Sequence, residues 1–170
     1  QLTLVDFFCG AGGLSLGFLQ EGFHVKLAND IEDVCIQTYK YNHPELPSDK
    51  LIQGDIKEIV DHIDEYISDD IDIVVGGPPC QGFSEANRQR VIDDPRNKLY
   101  KYFVKAVEAI TPKVVVMENV KGIMSAPLKH VATAERDADD PDQQLGTVLS
   151  VILSEFDKLG YKTVYGVVDA

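Results

Sequence analysis

The sequence predicts an α/β fold, a doubly wound and mostly parallel sheet with helices on both faces. Three observations predict it. Short apolar runs alternate with helix-period patterns along the 170 residues, as in parallel sheets covered on both sides. The first run, Leu2-Thr3-Leu4-Val5-Asp6-Phe7-Phe8, passes directly into a glycine-rich turn, Cys9-Gly10-Ala11-Gly12-Gly13. Asp30 closes the second run, 20 residues after Gly10. In such sheets ligands bind beyond the carboxyl ends of the strands, where strand order reverses, so the residues just after each run are the ones to inspect.

The elements follow in order. After the first strand and its turn, Leu14, Gly17 and Phe18 mark a helix face that ends near Gly22. Val25 to Asn29 is a second strand, followed by a helix from about Glu32 to Tyr41 that stops before Pro44. A short strand at Leu51–Gln53 leads into an acidic helix around Lys57–Tyr66. Ile71 to Val75 is a fourth strand, ending in Gly76-Gly77-Pro78-Pro79. Leu99, Phe103, Ala106, Val107 and Ile110 share one helix face. Lys113 to Met117 reads as a fully buried strand, and the acidic stretch Ala132–Gln144 as a solvated loop. Leu145, Val148, Leu149, Ile152 and Phe156 mark a helix closed by Gly160, and Tyr161 to Val168 reads as a final strand.

Composition narrows the function. With 16 basic and 28 acidic residues the net charge is −12, which counts against a surface that grips nucleic acid all over, since phosphate binding needs clustered Lys and Arg. Apolar residues at 44% and charged residues at 26% exclude a disordered tail or a coiled coil. No apolar run approaches a membrane span. The length suits one domain with a sizeable core. Gln1 stands where an initiator Met would, so the numbering is expected to start inside a processed or cloned product. Cys9, Cys35 and Cys80 are odd in number and carry no C-x-x-C spacing, which argues against a disulfide framework or a zinc site and for a reducing, cytoplasmic setting. No metal ligands are assigned.

The residues after the strands carry the chemistry. Glycines after the first strand permit a tight turn and a close ligand approach, and the helix they open supplies free N–H groups. A carboxylate at Asp30 can accept both hydroxyls of a ribose. This pair alone does not separate NAD from S-adenosylmethionine, and Ser15 stands where a G-x-G-x-x-G pattern has its third glycine. After the fourth strand comes Gly77-Pro78-Pro79-Cys80-Gln81-Gly82-Phe83-Ser84, two prolines stiffening the chain before a cysteine. After the fifth comes Glu118-Asn119-Val120. A lone cysteine is ordinarily a buried small hydrophobe and a lone glutamate a solvated one. If the fourth and fifth strands are neighbours, however, both project into one cleft.

Four signatures in order, Asp6-Phe7-Phe8-Cys9-Gly10-Ala11-Gly12-Gly13, Gly54-Asp55-Ile56, Pro79-Cys80-Gln81 and Glu118-Asn119-Val120, make the chain resemble the N-terminal part of the catalytic domain of cytosine-C5 DNA methyltransferases. The resemblance implies a Rossmann-like, S-adenosylmethionine-dependent methyltransferase fold. It implies methyl transfer to C5 of cytosine in DNA, as in restriction-modification, through a covalent adduct between Cys80 and C6. Glu118 would hold N3 and the exocyclic amine. The target base must leave the duplex stack to expose C6. Carried over by position, Phe8, Gly10, Ala11 and Gly13 line the cofactor, Asp30 holds its ribose, and Ile31 covers the adenine where the family often has an aromatic residue. Asp55 and Ile56 flank the adenine edge, and Pro79 and Leu99 complete the methionine side. Gln81, Ser84, Arg88 and Arg90 are the candidate DNA contacts, in a polar stretch from Gln81 to Lys101 expected to close over the flipped base.

The family's Gln-x-Arg-x-Arg signature, target-recognition region and returning C-terminal segment would follow the last strand. Residues 1–170 are therefore expected to be the cofactor-binding part of the domain, inactive alone, with a second chain or a further region supplying recognition of duplex DNA. A tRNA cytosine methyltransferase shares the same signatures. A dinucleotide-dependent oxidoreductase fragment explains the turn and Asp30 but not Cys80 with Glu118. A non-catalytic interaction module on the same fold is the remaining alternative.

Overall fold

A computed structural model of the chain describes residues 1–79, 99–128 and 137–168. Cys80, Gln81, Ser84, Arg88 and Arg90, and nearly all of the expected lid, lie outside the described residues. The chain divides into two compact units, residues 1–78 with 101–118, and residues 79–100 with 119–170.

The first unit is built on five parallel strands. They are β1 (Thr3–Phe7), β2 (His24–Asp30), β3 (Leu51–Gln53), β4 (Ile73–Gly76) and β5 (Val114–Met117), in the order β3-β2-β1-β4-β5. Strand order reverses between β1 and β4, which places the ligand crevice of such a sheet beyond Phe7 and Gly76. The helices in sequence are α1 (Gly13–Gln20), α2 (Asp33–Asn42), α3 (Ile56–Asp61), α4 (Ile63–Tyr66) and α5 (Leu99–Ile110), the last beginning in the second unit.

Side-chain alternation along the strands explains the double winding. Leu4, Ile73 and Val75 share a face and pack with Leu14 and Phe18 of α1 and with Phe23, Val25 and Val116. The alternate residues Val5, Phe7 and Val74 are fully buried on the other face. There the ring of Phe103 of α5 lies so close to Gly76 that an added Cβ would come within 2.6 Å of it. A third cluster, Cys9, Ala28, Tyr39 and Leu51 with Ile36 and Leu46, seats α2 beside β2 and β3. Phe103, Ala106 and Val107 are all fully buried, the face that their spacing predicts.

Three expectations change. β5 is not fully buried: Val114 is half exposed and Val115 to Met117 are half-buried, because β5 ends the sheet and pairs with β4 alone among the described residues. The acidic helix is two short ones, broken where His62 leaves the helical region at φ −128°. Tyr161–Val168 forms no strand. The segment pairs with no ladder among the described residues, and Val164, Tyr165, Val167 and Val168 are exposed. Its β-branched and aromatic content fits a strand, but a strand needs a partner.

At the amino end of the sheet, opposite the crevice, Asp72 ties β1, β4 and β5 together. Its carboxylate accepts from the Thr3 N–H at 2.8 Å, the Thr3 hydroxyl at 3.1 Å and the Lys113 ammonium at 2.6 Å. Its own N–H donates to the Thr3 hydroxyl oxygen. These donors, Lys113 first and the Thr3 N–H second, pull the Asp72 carboxyl down to about 2. Because the folded value lies below the unfolded one of about 4, Asp72 stabilises the fold above pH ~4 and loses that contribution as pH falls through about 2. Asp72→Ala should therefore unfold earlier in denaturant at pH 7, with its gap to wild type closing on acidification to pH 2. A gap independent of pH would show that the carboxylate contributes nothing.

The second unit contains α6 (Thr147–Lys158), whose Val148, Ile152 and Phe156 are buried. Gly146 at φ +80° precedes the helix and Gly160 at φ +87° ends it, the Tyr161 N–H returning to the Phe156 carbonyl as glycine-terminated helices do. Leu145, expected on the helix face, lies before the helix and is exposed. The described part of the expected solvated loop is a turn at Pro141–Gln143 around a buried glutamine. The Gln143 amide donates to Asp140 at 2.7 Å and accepts from the Asp137 N–H at 2.8 Å.

Candidate active site

The site begins with the turn after β1. Phe8 at φ +57°, Gly10 at +54° and Gly12 at +88° are all left-handed. For Phe8, a residue with a Cβ, that conformation costs about 1–2 kcal/mol. The three glycines differ in what they face. A Cβ added at Gly10 or Gly13 would meet nothing within 4 Å, whereas one at Gly12 would lie 2.2 Å from Nε2 of His43. One side of the turn is therefore packed and the other open. Ala11 and Gly13 are exposed on it and Phe8 is half-buried.

Asp30, at the end of neighbouring β2, joins this turn directly. Its Oδ2 accepts from the Gly10 N–H at 3.0 Å, and its Oδ1 from the Glu32 N–H at 3.0 Å. The two N–H groups fix the carboxylate plane and leave further acceptor positions on both oxygens. Ile31 is exposed beside Asp30. Beyond β3, Asp55 is exposed and caps α3, accepting from the Lys57 N–H at 3.0 Å, while Ile56 is buried. Asn29 holds the β2 and β3 ends together, its amide donating to the carbonyls of Ile52 and Gly54 at 3.0 Å.

β4 and β5 are neighbours, the condition that the sequence argument required, and Gly76 pairs with Met117. Glu118 follows, its N–H donating to the Gly76 carbonyl at 3.0 Å. Its carboxylate is exposed and faces Gly77, where an added Cβ would come within 3.1 Å of Oε2. The structure thus brings Phe8, Gly10, Ala11, Gly13, Asp30, Ile31, Asp55, Ile56 and Glu118 to the carboxyl ends of one sheet. Pro79 and Leu99, both half-buried, belong to the second unit.

Behind the turn lies a buried polar chain that the sequence reading passed over. Tyr39 donates from its hydroxyl to Ser15 Oγ at 2.8 Å, and Ser15 donates to Asp6 Oδ2 at 2.5 Å. Asp6 is fully buried, and among the described residues its Oδ1 has no hydrogen-bond partner. Burial pushes its carboxyl up to about 7, against the pull of the Ser15 hydroxyl and with a smaller push from the Asp30 charge. Ser15 in the third-glycine position is thus the link between α2 and β1. The signal was the residue type itself: a serine in the first helical turn beside an apolar strand with one acid.

The Asp6 value has a stability consequence. Between the unfolded value of about 4 and the folded value of about 7, the native state holds the extra proton, so stability falls as pH rises through that window and is flat above it. Between pH 5 and 8 this amounts to about 2–3 kcal/mol. Asp6→Asn should remove that part of the slope in denaturant titrations at the two pH values. Parallel slopes in the two proteins would show Asp6 to be ionised throughout.

Both described cysteines are free. Burial, then the charges of Asp6 and Asp30, pushes the Cys9 thiol well up. Cys35 is pushed up by desolvation and by Asp30 and Glu32. Neither favours a thiolate. Among the described residues no group of His, Cys, Asp and Glu is arranged to hold a metal, and no helix is long and apolar enough to cross a membrane.

Comparison with known proteins identifies the family. The family model for C-5 cytosine-specific DNA methylase matches residues 2–170. The Type II methyltransferase M1.HphI of Haemophilus parahaemolyticus is 37% identical over 100% of this chain and 41% of its own length. M.FnuDI of Fusobacterium nucleatum is 36% identical over 99% and 42%. Among solved structures, a protein described as a DNA modification methyltransferase encoded within an E. coli prophage superposes with a TM-score of 0.65 at 31% identity, over 93% of this chain and 38% of that one. The chain thus spans about two-fifths of the length of these relatives. A match running from β1 to beyond α6, on a sheet that sets the glycine turn and Glu118 at its carboxyl end, makes the chain a member of the C-5 cytosine-specific DNA methylase family.

Proposed function

We propose that this chain is the cofactor-binding and catalytic part of a DNA cytosine-C5 methyltransferase whose complete form includes further sequence, in the same chain or a second one, that recognises the target. The observation that carries the reading is the junction of Asp30 with the glycine turn: a carboxylate fixed by two N–H groups, with acceptor positions to spare, beside a turn whose Gly10 and Gly13 face open space. This fits a nucleoside with an amino-acid tail. Asp30 takes the two ribose hydroxyls, exposed Ile31 covers the adenine, Asp55 and Ile56 border its edge, and Phe8, Gly10, Ala11 and Gly13 line the remainder. When bound, S-adenosylmethionine supplies an electrophilic methyl group.

The protein's own residues do the rest. Cys80 lies four positions beyond the end of β4 in sequence. Its thiolate adds to C6 of a cytosine swung out of the duplex, which turns C5 into an enamine-like nucleophile. The Glu118 carboxyl holds N3 and the exocyclic amine and stabilises the charge on the ring. With the donor bound, C5 would take its methyl group as the carbon–sulfur bond broke. Loss of the C5 proton to a base then expels Cys80 and restores the aromatic ring. Gln81, Ser84, Arg88 and Arg90 follow the nucleophile and are proposed to meet the DNA.

Binding tests the cofactor reading without requiring turnover. S-adenosylhomocysteine should raise the melting temperature of the complete enzyme and NADH should not. A shift with NADH alone would replace this reading with the oxidoreductase one.

A further inference from the structure

The last turn of α2 holds the glycine turn from behind. Tyr39 and Asn42 of α2 and His43, the residue that follows it, stand at positions i, i+3 and i+4 and all reach the turn. The Tyr39 hydroxyl donates to Ser15 at 2.8 Å, the Asn42 amide to the Ala11 carbonyl at 2.8 Å, and Nε2 of His43 lies 3.1 Å from the Gly12 carbonyl. A carbonyl only accepts, so Nε2 of His43 donates to it, and Nδ1 lies 3.5 Å from a carboxylate oxygen of Glu45. The rings of Tyr39 and His43 pack at 4.6 Å, and both side chains are buried.

These contacts set peptide orientations. A trans peptide is planar, with its N–H opposite its C=O. Donors that fix the Gly12 carbonyl, His43 together with the Leu16 N–H at 2.9 Å, therefore aim the Gly13 N–H the other way. The Ala11 carbonyl is fixed by Asn42, and the N–H of the same peptide, that of Gly12, goes back to the Cys9 carbonyl at 2.9 Å. The packed side of the turn thus consumes its carbonyls, and among the described residues the Gly13 N–H on the other side has no partner, a donor at the start of a helix, where negative charge is favoured.

Resting on the cofactor reading above, we propose that Asn42 and His43, with Tyr39 behind them, are positioning residues for the cofactor, acting through the peptides of Ala11 and Gly12 without touching the ligand. Asn42 gives the cleanest test because its amide is exposed, so its removal should cost the fold little. In the complete enzyme, calorimetry with S-adenosylhomocysteine should show Kd rising about threefold to tenfold in Asn42→Ala and equally in Asn42→Asp, which keeps the shape but cannot donate, the size expected for one hydrogen bond. The melting temperature without ligand should stay at the wild-type value. His43→Gln, which retains a donor, should bind better than His43→Leu.

The outcomes separate. Kd within twofold of wild type in both Asn42 variants, alongside a clear loss in Asp30→Ala, would overturn the positioning role and leave the cofactor reading standing. A rise in Kd matched by a fall in melting temperature would make Asn42 a fold staple and overturn the role as well. No binding by wild type, or none of the expected loss in Asp30→Ala, would remove the cofactor reading and this inference with it.

Discussion

Cys80→Ala should abolish methyl transfer in the complete enzyme, while Cys35→Ser keeps most of it. The two described cysteines give this expectation its force. Cys9 is buried in the cluster beneath α2, and Cys35 sits beside Asp30 and Glu32; both thiols are held up by desolvation and by negative charge. A nucleophilic cysteine needs the reverse, an environment that favours the thiolate. In the proposed mechanism addition to C6 makes C5 reactive and Cys80 supplies the thiolate, so the loss should be complete within assay limits. Activity in Cys80→Ala above background would contradict the assignment. A large loss in Cys35→Ser would instead point to the Asp30 region, whose charge acts on Cys35.

Asp30→Ala should weaken cofactor binding at least tenfold. Each charge-assisted hydrogen bond to a ribose hydroxyl is worth about 1.5–3 kcal/mol, and about 1.4 kcal/mol is a factor of ten. The substitution also frees the Gly10 N–H, which Asp30 holds at 3.0 Å. Asp30→Asn separates the two effects: it can still accept from Gly10, so a loss nearly as large as that of alanine assigns the effect to the charge at the ribose. Unchanged affinity in calorimetry would reduce the turn and Asp30 to a structural corner.

Much of this was legible because parallel α/β sheets write their plan locally. The alternation of apolar runs and helix periods located all five strands of the sheet, and the end of β2 at Asp30 followed from the charge that closes the run. What local pattern does not carry is which strand lies at an edge. Val114 to Met117 are as apolar as β4, yet Val114 is half exposed because nothing described lies beyond β5. The same limit misplaced Tyr161–Val168, whose composition suits a ladder that it does not join here. The break at His62 was invisible for a different reason: a one-residue departure from helical angles changes no periodicity.

At the site, residue types pointed to the turn and to Asp30, but the packing behind them was out of reach. Ser15 looked like a departure from a glycine pattern and is a hydrogen-bonded link between Asp6 and Tyr39. Gly12 carried no assignment of its own in the sequence and is the glycine against which His43 packs. The i, i+3, i+4 spacing of Tyr39, Asn42 and His43 was present in the sequence, but polar residues at a helix end are ordinarily read as solvent-facing caps.

The central claim is that Cys80 attacks C6 of cytosine while Glu118 holds the base, and covalent trapping tests it most directly. Duplex DNA carrying 5-fluorocytosine at the target position lacks the C5 proton whose loss would expel the enzyme. Incubated with the complete enzyme and S-adenosylmethionine, it should yield a denaturation-resistant protein–DNA adduct, which peptide mass spectrometry places on Cys80. Cys80→Ala should form none. An adduct that persists in Cys80→Ala, or one that maps to Cys9 or Cys35, would contradict the account.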